Sequence, residues 1–150
     1  MTWSYSRVAS FDDCPYKWFL SYLYRDENGH SLKKKSGFFA EFGSYMHKIL
    51  QMYLSGLLEK ERLSTYYVAH FKENVFSKAP NSKIYMNYFQ QGFHYLDDFS
   101  FPSRSIIGVE EKVDFMFAGR KFTGFVDLIS ENGKLIVTDH KSRTLKPRSK

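Results

Sequence analysis

The feature that most constrains the fold is a predicted β-hairpin in the last third of the chain. Residues 122–141 read F-T-G-F-V-D-L-I-S-E-N-G-K-L-I-V-T-D-H-K, and two apolar segments flank Asn132-Gly133. Asn-Gly between segments rich in Val, Ile and Phe is the strongest short-range indication of a hairpin. Each segment also carries one carboxylate, Asp127 in the first and Asp139 in the second. A carboxylate within a strand needs water, a polar partner or a cation.

Two interpretations of these carboxylates remain open. In the first, the hairpin has one solvated face, and Asp127 and Asp139 meet water there. In the second, the two carboxylates hold a hard divalent cation. Lys141 would then lie beside that cation, because it follows Asp139 by two residues and shares its face of a strand.

The geometry of the turn distinguishes these interpretations. A two-residue Asn-Gly turn would pair Ile129 with Ile136 and place the two aspartates on opposite faces, because a shift of one residue inverts a strand. A shared cation therefore requires an odd number of loop residues. We predict a left-handed Gly133 in a bulged turn. In that register Asp127 lies opposite Val137, and the second aspartate is its diagonal neighbour at about 7–8 Å.

Composition sets the remaining bounds. With 150 residues and 19% aromatics, the chain has the size of one domain and enough apolar surface for a core. A net charge of +6 favours a polyanionic partner. The single cysteine, Cys14, excludes a disulfide framework and an all-cysteine metal site within one chain. The sequence shows neither a signal peptide nor a bilayer-spanning segment, and a soluble cytoplasmic protein is expected.

Periodicity predicts an α+β fold, with N-terminal helices packed on an antiparallel three-strand meander that carries the acidic residues. A first short helix, capped by Ser6, should end before Pro15, which suits the start of a second helix. The later predicted elements are helices at 38–58, 64–76 and 83–99 and strands at 105–117, 121–130 and 134–141.

Several polar residues have two interpretations each. His47 lies at the edge of the apolar stripe of the 38–58 helix, where a histidine is either a packed boundary residue or a metal ligand. Glu110 and Glu111 fall on opposite faces of the first strand, so they are either charges on an exposed strand face or, for one of them only, an accessory to the acidic cluster. Lys33-Lys34-Lys35 is either a solvated charge run or a DNA contact, and Arg143 belongs to a basic tail with the same alternatives.

Five segments resemble, in their order, motifs of the RecB/AddB-like branch of the PD-(D/E)XK nuclease superfamily, which includes CRISPR adaptation nucleases and phage exonucleases. They span roughly residues 4 to 142 and read S-x-S…F-D-D-C-P-Y-K-W-F-L, F-G-S-Y-M-H-K-I-L, V-E-E-K-V-D-F, G-F-V-D-L-I and V-T-D-H-K-S. The resemblance implies a restriction-endonuclease-like α/β core and a Mg²⁺- or Mn²⁺-dependent deoxyribonuclease. DNA ends or single strands would be its substrate, in recombination, repair or phage DNA processing in a bacterial or phage-encoded setting.

The resemblance also implies roles for individual residues. Asp127, Asp139 and Lys141 match the catalytic positions, and His47, Asp127 and Asp139 match metal ligands. The backbone carbonyl of His140 would complete the coordination sphere, while its ring should face away because it alternates with Asp139. Imidazole suits Mn²⁺ better than Mg²⁺, so Mn²⁺ should support activity well. Lys141 would stay charged and stabilise the reacting phosphate.

The chain departs from the family pattern at its C-terminus. The cysteines that accompany an iron–sulfur cluster in some members are absent there, so no cluster is expected. The helix and strand that follow the lysine in the family are also absent. The single domain over residues 1–150 is therefore expected to be a truncated or minimal form, or to be completed by a homo-oligomer or partner subunit. The alternative to a nuclease is a catalytically degenerate nucleic-acid-binding member or subunit of the same family. A third hypothesis is a basic adaptor domain with a solvated hairpin.

Overall fold

The computed structural model describes residues 2–31 and 36–141, and these residues combine helices with one antiparallel sheet. The described helices are α1 (Tyr5–Asp13), α2 (Pro15–Tyr22), α3 (Phe38–Leu54), α4 (Leu63–Asn74) and α5 (Ser82–Asp97). The strands are β1 (Ser105–Phe117), β2 (Arg120–Glu131) and β3 (Leu135–Thr138), in the order β1-β2-β3. The predicted α+β class is confirmed. None of the helices in this described part has the length and hydropathy to cross a bilayer.

The helix ends follow local capping chemistry. The predicted cap of α1 is wrong by two residues, because the hydroxyl of Ser4, and not that of Ser6, accepts from the backbone N–H of Arg7 at 3.3 Å. Cys14 caps α2, and Pro15 takes the first helical position as predicted. The 38–58 prediction is too long, since α3 ends at Leu54.

The described chain divides into two compact units. The expectation of one domain over residues 1–150 stays a prediction. The first unit comprises Met1–Lys35 and Lys112–Phe125. Within it, the rings of Trp3 and Trp18 stack with centroids 5.8 Å apart, and the backbone of Trp3 bridges to Phe122. These contacts attach the start of the chain to β2.

The second unit comprises Ser36–Glu111 and Val126–Lys150, and its core lies between α3, α4 and α5. The α3 stripe predicted from the sequence supplies much of this core, namely Phe42, Tyr45, Met46, Ile49 and Leu50. Helix α5 approaches α4 closely at Gly92, where a Cβ atom would clash with the phenol of Tyr67. The Tyr67 hydroxyl in turn donates to the carbonyl of Phe89 at 3.1 Å, which holds the two helices together.

A buried carboxylate ties α3 to the segment that follows α4. Glu41 is 6% exposed and accepts hydrogen bonds from the backbone N–H of Ser77 at 2.8 Å and from its hydroxyl at 2.5 Å. Burial raises the pKa of the Glu41 carboxyl, but the hydrogen bonds from Ser77 and its neighbours outweigh burial and hold the pKa below its ordinary value. The ionised form of Glu41 therefore stabilises the second unit.

Candidate metal centre

The hairpin loop between β2 and β3 contains three residues, Asn132 to Lys134, because Glu131 pairs with Leu135. Gly133 is left-handed with a φ of +66°, and the N–H of Asn132 donates to the carbonyl of Lys134 at 3.2 Å. The predictions of an odd loop and of a left-handed Gly133 are confirmed. A valine or other L-residue would be strained at this φ, whereas glycine adopts it freely.

The predicted register is nevertheless wrong by two residues. Val137 pairs with Ile129 and not with Asp127, and the last pair of the ladder is Leu128 with Thr138. The reason is that Glu131 joins the ladder instead of the loop, which shifts every partner along β3. One position beyond the last pair, the same register sets Asp127 across from Asp139, so the two aspartates are opposite rather than diagonal neighbours.

A histidine and two carboxylates converge at the start of this hairpin. His47 comes from α3, Glu110 from β1 and Asp127 from β2, and each offers one ligand atom within 4.8 Å of the others. All three residues are half-buried. His47 lies more than sixty residues before the two carboxylates in sequence, and the fold therefore brings together from distant segments the donor types that bind divalent cations. We refer to these three residues, His47, Glu110 and Asp127, which could together hold one metal ion, as the metal cluster.

Asp127 is more enclosed than His47. Its side chain is 14% exposed, against 30% for His47, and Oδ2 lies 3.6 Å from His47 Nδ1. The same oxygen accepts a hydrogen bond from the backbone N–H of His140 at 2.6 Å. Since that donor orients the carboxylate from the side of β3, the hairpin register controls how Asp127 is presented to His47.

Glu110 reaches the cluster through an irregularity in β1. Its φ is +55°, in the left-handed region that a non-glycine residue seldom adopts and that costs about 1–3 kcal/mol. Such a residue interrupts strand alternation as in a β-bulge. Gly108 and Glu111, three residues apart, consequently meet on one side, where a Cβ atom on Gly108 would clash with the Glu111 side chain. Glu111 is exposed and lies outside the metal cluster.

The sequence pattern indicates Glu110 only as a candidate accessory residue, whereas the structure places it among the three clustered ligand donors. The usable indication was Gly108, because an isolated glycine within a strand pattern suggests a bulge. A bulge makes the alternation of faces along β1 unreliable beyond that point. The outward or inward direction of Glu110 could then not be taken from its position in the strand.

Asp139 and Lys141 form their own ion pair. Lys141 Nζ lies 2.7 Å from the Asp139 carboxylate, with side-chain exposures of 46% and 60%. Asp139 is not among the residues of the metal cluster. The structure thus brings together His47, Glu110 and Asp127, and holds Asp139 with Lys141 immediately after β3.

The prediction that the His140 ring faces away from the site is wrong. Its ring centroid lies 6.3 Å from that of His47 in an edge-to-face arrangement. Strand β3 ends at Thr138, so strict alternation no longer applies at His140. Burial lowers the pKa of the His140 ring, which favours the neutral imidazole, although the charge of Asp127 acts in the opposite direction.

The prediction of DNA contacts concerns four basic residues. Lys33, Lys34, Lys35 and Arg143 lie outside the described residues. Their assignment to nucleic-acid binding therefore stays a prediction.

Comparison with known proteins gives one family match. A sequence model of the PD-(D/E)XK nuclease superfamily matches residues 2–150. No curated protein and no solved structure matches the chain. The family match covers the residues of the metal cluster and the Asp139–Lys141 pair alike.

Proposed function

Because the chain belongs to the PD-(D/E)XK nuclease superfamily, whose members are nuclease-type hydrolases that generally use divalent metals, we propose that it hydrolyses phosphodiester bonds of DNA. The observation that carries this proposal is the convergence of His47, Glu110 and Asp127, with ligand atoms within 4.8 Å of one another. We propose Mn²⁺ or Mg²⁺ as the cofactor, with DNA ends or single strands as substrate in recombination, repair or phage DNA processing.

The donor set fits a hard divalent cation. Two carboxylates suit Mg²⁺ and Mn²⁺, and the imidazole of His47 shifts the preference towards Mn²⁺. A cation bound there would polarise the substrate phosphate and lower the pKa of water, which is the chemistry that phosphodiester hydrolysis needs near neutral pH. The proposed ligands are therefore His47, Glu110 and Asp127, and the carbonyl of His140 remains a proposed fourth.

The protein's own residues would orient the ligand carboxylate and stabilise the charge of the reacting phosphate. The backbone N–H of His140 fixes the Asp127 carboxylate through its 2.6 Å hydrogen bond. Lys141 provides a positive charge for the non-bridging oxygens of the phosphate, where negative charge develops during the displacement. Asp139 holds the ammonium group of Lys141 at 2.7 Å, so in this arrangement it positions the lysine. A direct metal contact by Asp139 would require that ion pair to open.

A second candidate function is binding without cleavage. It is favoured by one observation, the exposed Asp139 that pairs with Lys141 and stands apart from the metal cluster. If that ion pair persists when DNA binds, Asp139 keeps the ammonium group of Lys141 away from the phosphate, and the chain is a catalytically inactive member that recognises nucleic acid. This candidate predicts DNA binding that falls with salt and no chelator-sensitive cleavage.

The test incubates end-labelled linear single- and double-stranded DNA, and internally labelled circular single-stranded DNA, with Mn²⁺, Mg²⁺ or a chelator. We expect cleavage that requires the metal, is stronger with Mn²⁺, and is lost in Asp127→Asn. Asp114→Asn is the matched control, because Asp114 lies in the first unit and pairs with Lys112 and Lys121. Cleavage of linear but not circular single strands would support action on ends. Metal-independent cleavage, or equal activity of the two variants, would refute the proposed site.

A further inference from the structure

A cavity of about 420 Å³ adjoins the metal cluster and is not explained by metal binding. It shares His47 with the cluster, and His140 and Lys141 also line it. The rest of its lining comes from α3 and α5, with Phe42, Met46, Leu50, Asn87, Tyr88, Gln91, Gly92 and Tyr95. Its volume falls within the range of about 300–1,000 Å³ that is usual for small-molecule sites.

The lining divides into an apolar floor and a polar edge. Phe42, Met46 and Leu50 are buried in the α3 core and provide the floor. Asn87 and Gln91 are exposed on α5, one turn apart, and Gln91 Nε2 donates to Asn87 Oδ1 at 3.2 Å. That bond uses one N–H of Gln91 and a lone pair of Asn87 Oδ1, so the Gln91 carbonyl oxygen and the N–H groups of Asn87 are left for a ligand, an acceptor and donors side by side. Amide groups of this kind recognise the edges of bases.

Two tyrosines add aromatic faces. The Tyr88 ring packs edge-to-face on Phe39 and Phe42 at centroid distances of 5.2 and 5.0 Å, which orient it. Tyr95 is 46% exposed, so one part of its ring is open to a ligand. Asn87, Gln91 and Tyr95 are spaced by four residues and therefore share one face of α5.

We propose that this cavity binds an unpaired nucleobase of the substrate, adjacent to the phosphate at the metal cluster. The proposal rests on the proposed nuclease function and specifies the substrate as a strand with an unstacked base beside the scissile bond. An apolar floor, aromatic faces and an amide pair match the surface of a base, which has two π faces and a hydrogen-bonding edge. A base paired within a duplex cannot enter such a cavity without leaving its stack.

The test compares a single-stranded oligonucleotide with the same oligonucleotide carrying one abasic residue, and maps the cleaved positions. We expect cleavage at a phosphate adjoining the abasic residue to fall by about 5- to 150-fold, which corresponds to the stacking contribution of one base. Tyr95→Ala should cause a similar loss on the intact oligonucleotide and no further loss at the abasic position, because both changes remove the same contact. Tyr95→Phe should retain cleavage, since it keeps the ring.

Phe76→Ala is the matched control, because Phe76 is 74% exposed in the same unit and does not line the cavity. The affinities of both oligonucleotides are also measured by fluorescence anisotropy in the presence of a chelator. If the wild type cuts no DNA, the nuclease proposal fails, and the affinities alone test the base site. Two results would overturn the base site and leave the metal cluster in place. One is that the intact and abasic oligonucleotides are bound and cleaved equally well. The other is that Tyr95→Ala weakens the cleavage of both oligonucleotides by the same factor.

Discussion

Replacing Gly133 by valine tests how the hairpin loop controls the metal cluster. Gly133 has a φ of +66°, and a Cβ atom built on it would meet no heavy atom within 4 Å. The cost of Gly133→Val therefore comes from the backbone conformation and not from a clash. A left-handed conformation costs an L-residue about 1–2 kcal/mol. The second unit should lose that much of its free energy of unfolding, unless the loop opens to relieve the strain.

Opening the loop has a consequence for metal binding. The pairing of Glu131 with Leu135 sets the register that brings the N–H of His140 onto Asp127. If the loop of Gly133→Val opens, Mn²⁺ can bind only after the loop closes again into its strained conformation. The free energy of this closure reduces the binding free energy of Mn²⁺. The Mn²⁺ affinity should therefore fall by about 5- to 30-fold, the factor that corresponds to 1–2 kcal/mol. No proposed ligand is altered by this substitution.

The assay is calorimetric titration with Mn²⁺, together with thermal unfolding monitored by circular dichroism. Gly56→Val is the matched control, because Gly56 is in the same unit, has a φ of +74° and is equally open around its Cβ position. It should lose comparable stability and keep its Mn²⁺ affinity. Gly133→Asn should largely restore both properties, since asparagine tolerates the left-handed region. If Gly133→Val binds Mn²⁺ as tightly as Gly56→Val does, the hairpin register does not control the cluster.

Three further predictions concern individual side chains. Lys141→Ala should abolish cleavage and leave Mn²⁺ affinity within about twofold, because the lysine acts on the phosphate; near-wild-type turnover would remove it from the mechanism. Glu110→Gln should weaken Mn²⁺ binding by about tenfold or more, whereas Glu111→Gln should not, and a reversed order in calorimetry would contradict the assignment of Glu110. Glu41 contributes stability above the ordinary glutamate pKa of about 4.3, and this contribution is lost as the pH falls through its lowered folded-state pKa. The difference in Tm between the wild type and Glu41→Gln should therefore shrink between pH 7 and pH 3, and a constant difference would show that the charge is irrelevant.

Local sequence patterns determined the secondary structure and much of the hairpin. The alternation from Ser105 to Phe117 predicts β1 with the bounds that the structure has. The apolar stripe of α3 predicts its buried face, and Asn132-Gly133 predicts the left-handed turn. These features depend on contacts between near neighbours along the chain, and a short stretch of sequence is therefore enough to predict them.

Only the tertiary structure decided which residues meet. The family resemblance singled out His47, Asp127, Asp139 and Lys141, but the structure groups His47 and Asp127 with Glu110 and holds Asp139 on Lys141. A shift of two residues in a hairpin keeps every side chain on its face, and the hydrophobic pattern therefore does not distinguish the two registers.

The left-handed backbone of Glu110 and the cavity beside α5 have the same physical origin. The left-handed conformation of Glu110 opposes its local preference, and long-range packing must hold it in place. Asn87, Gln91 and Tyr95 are ordinary surface residues of an amphipathic helix until α3 and the residues that follow β3 complete the lining of a cavity in front of them. The sequence by itself determined the elements and the chemistry available on each. The packing of distant segments decided which of those groups share a site, because that choice depends on the free energy of the whole assembled core.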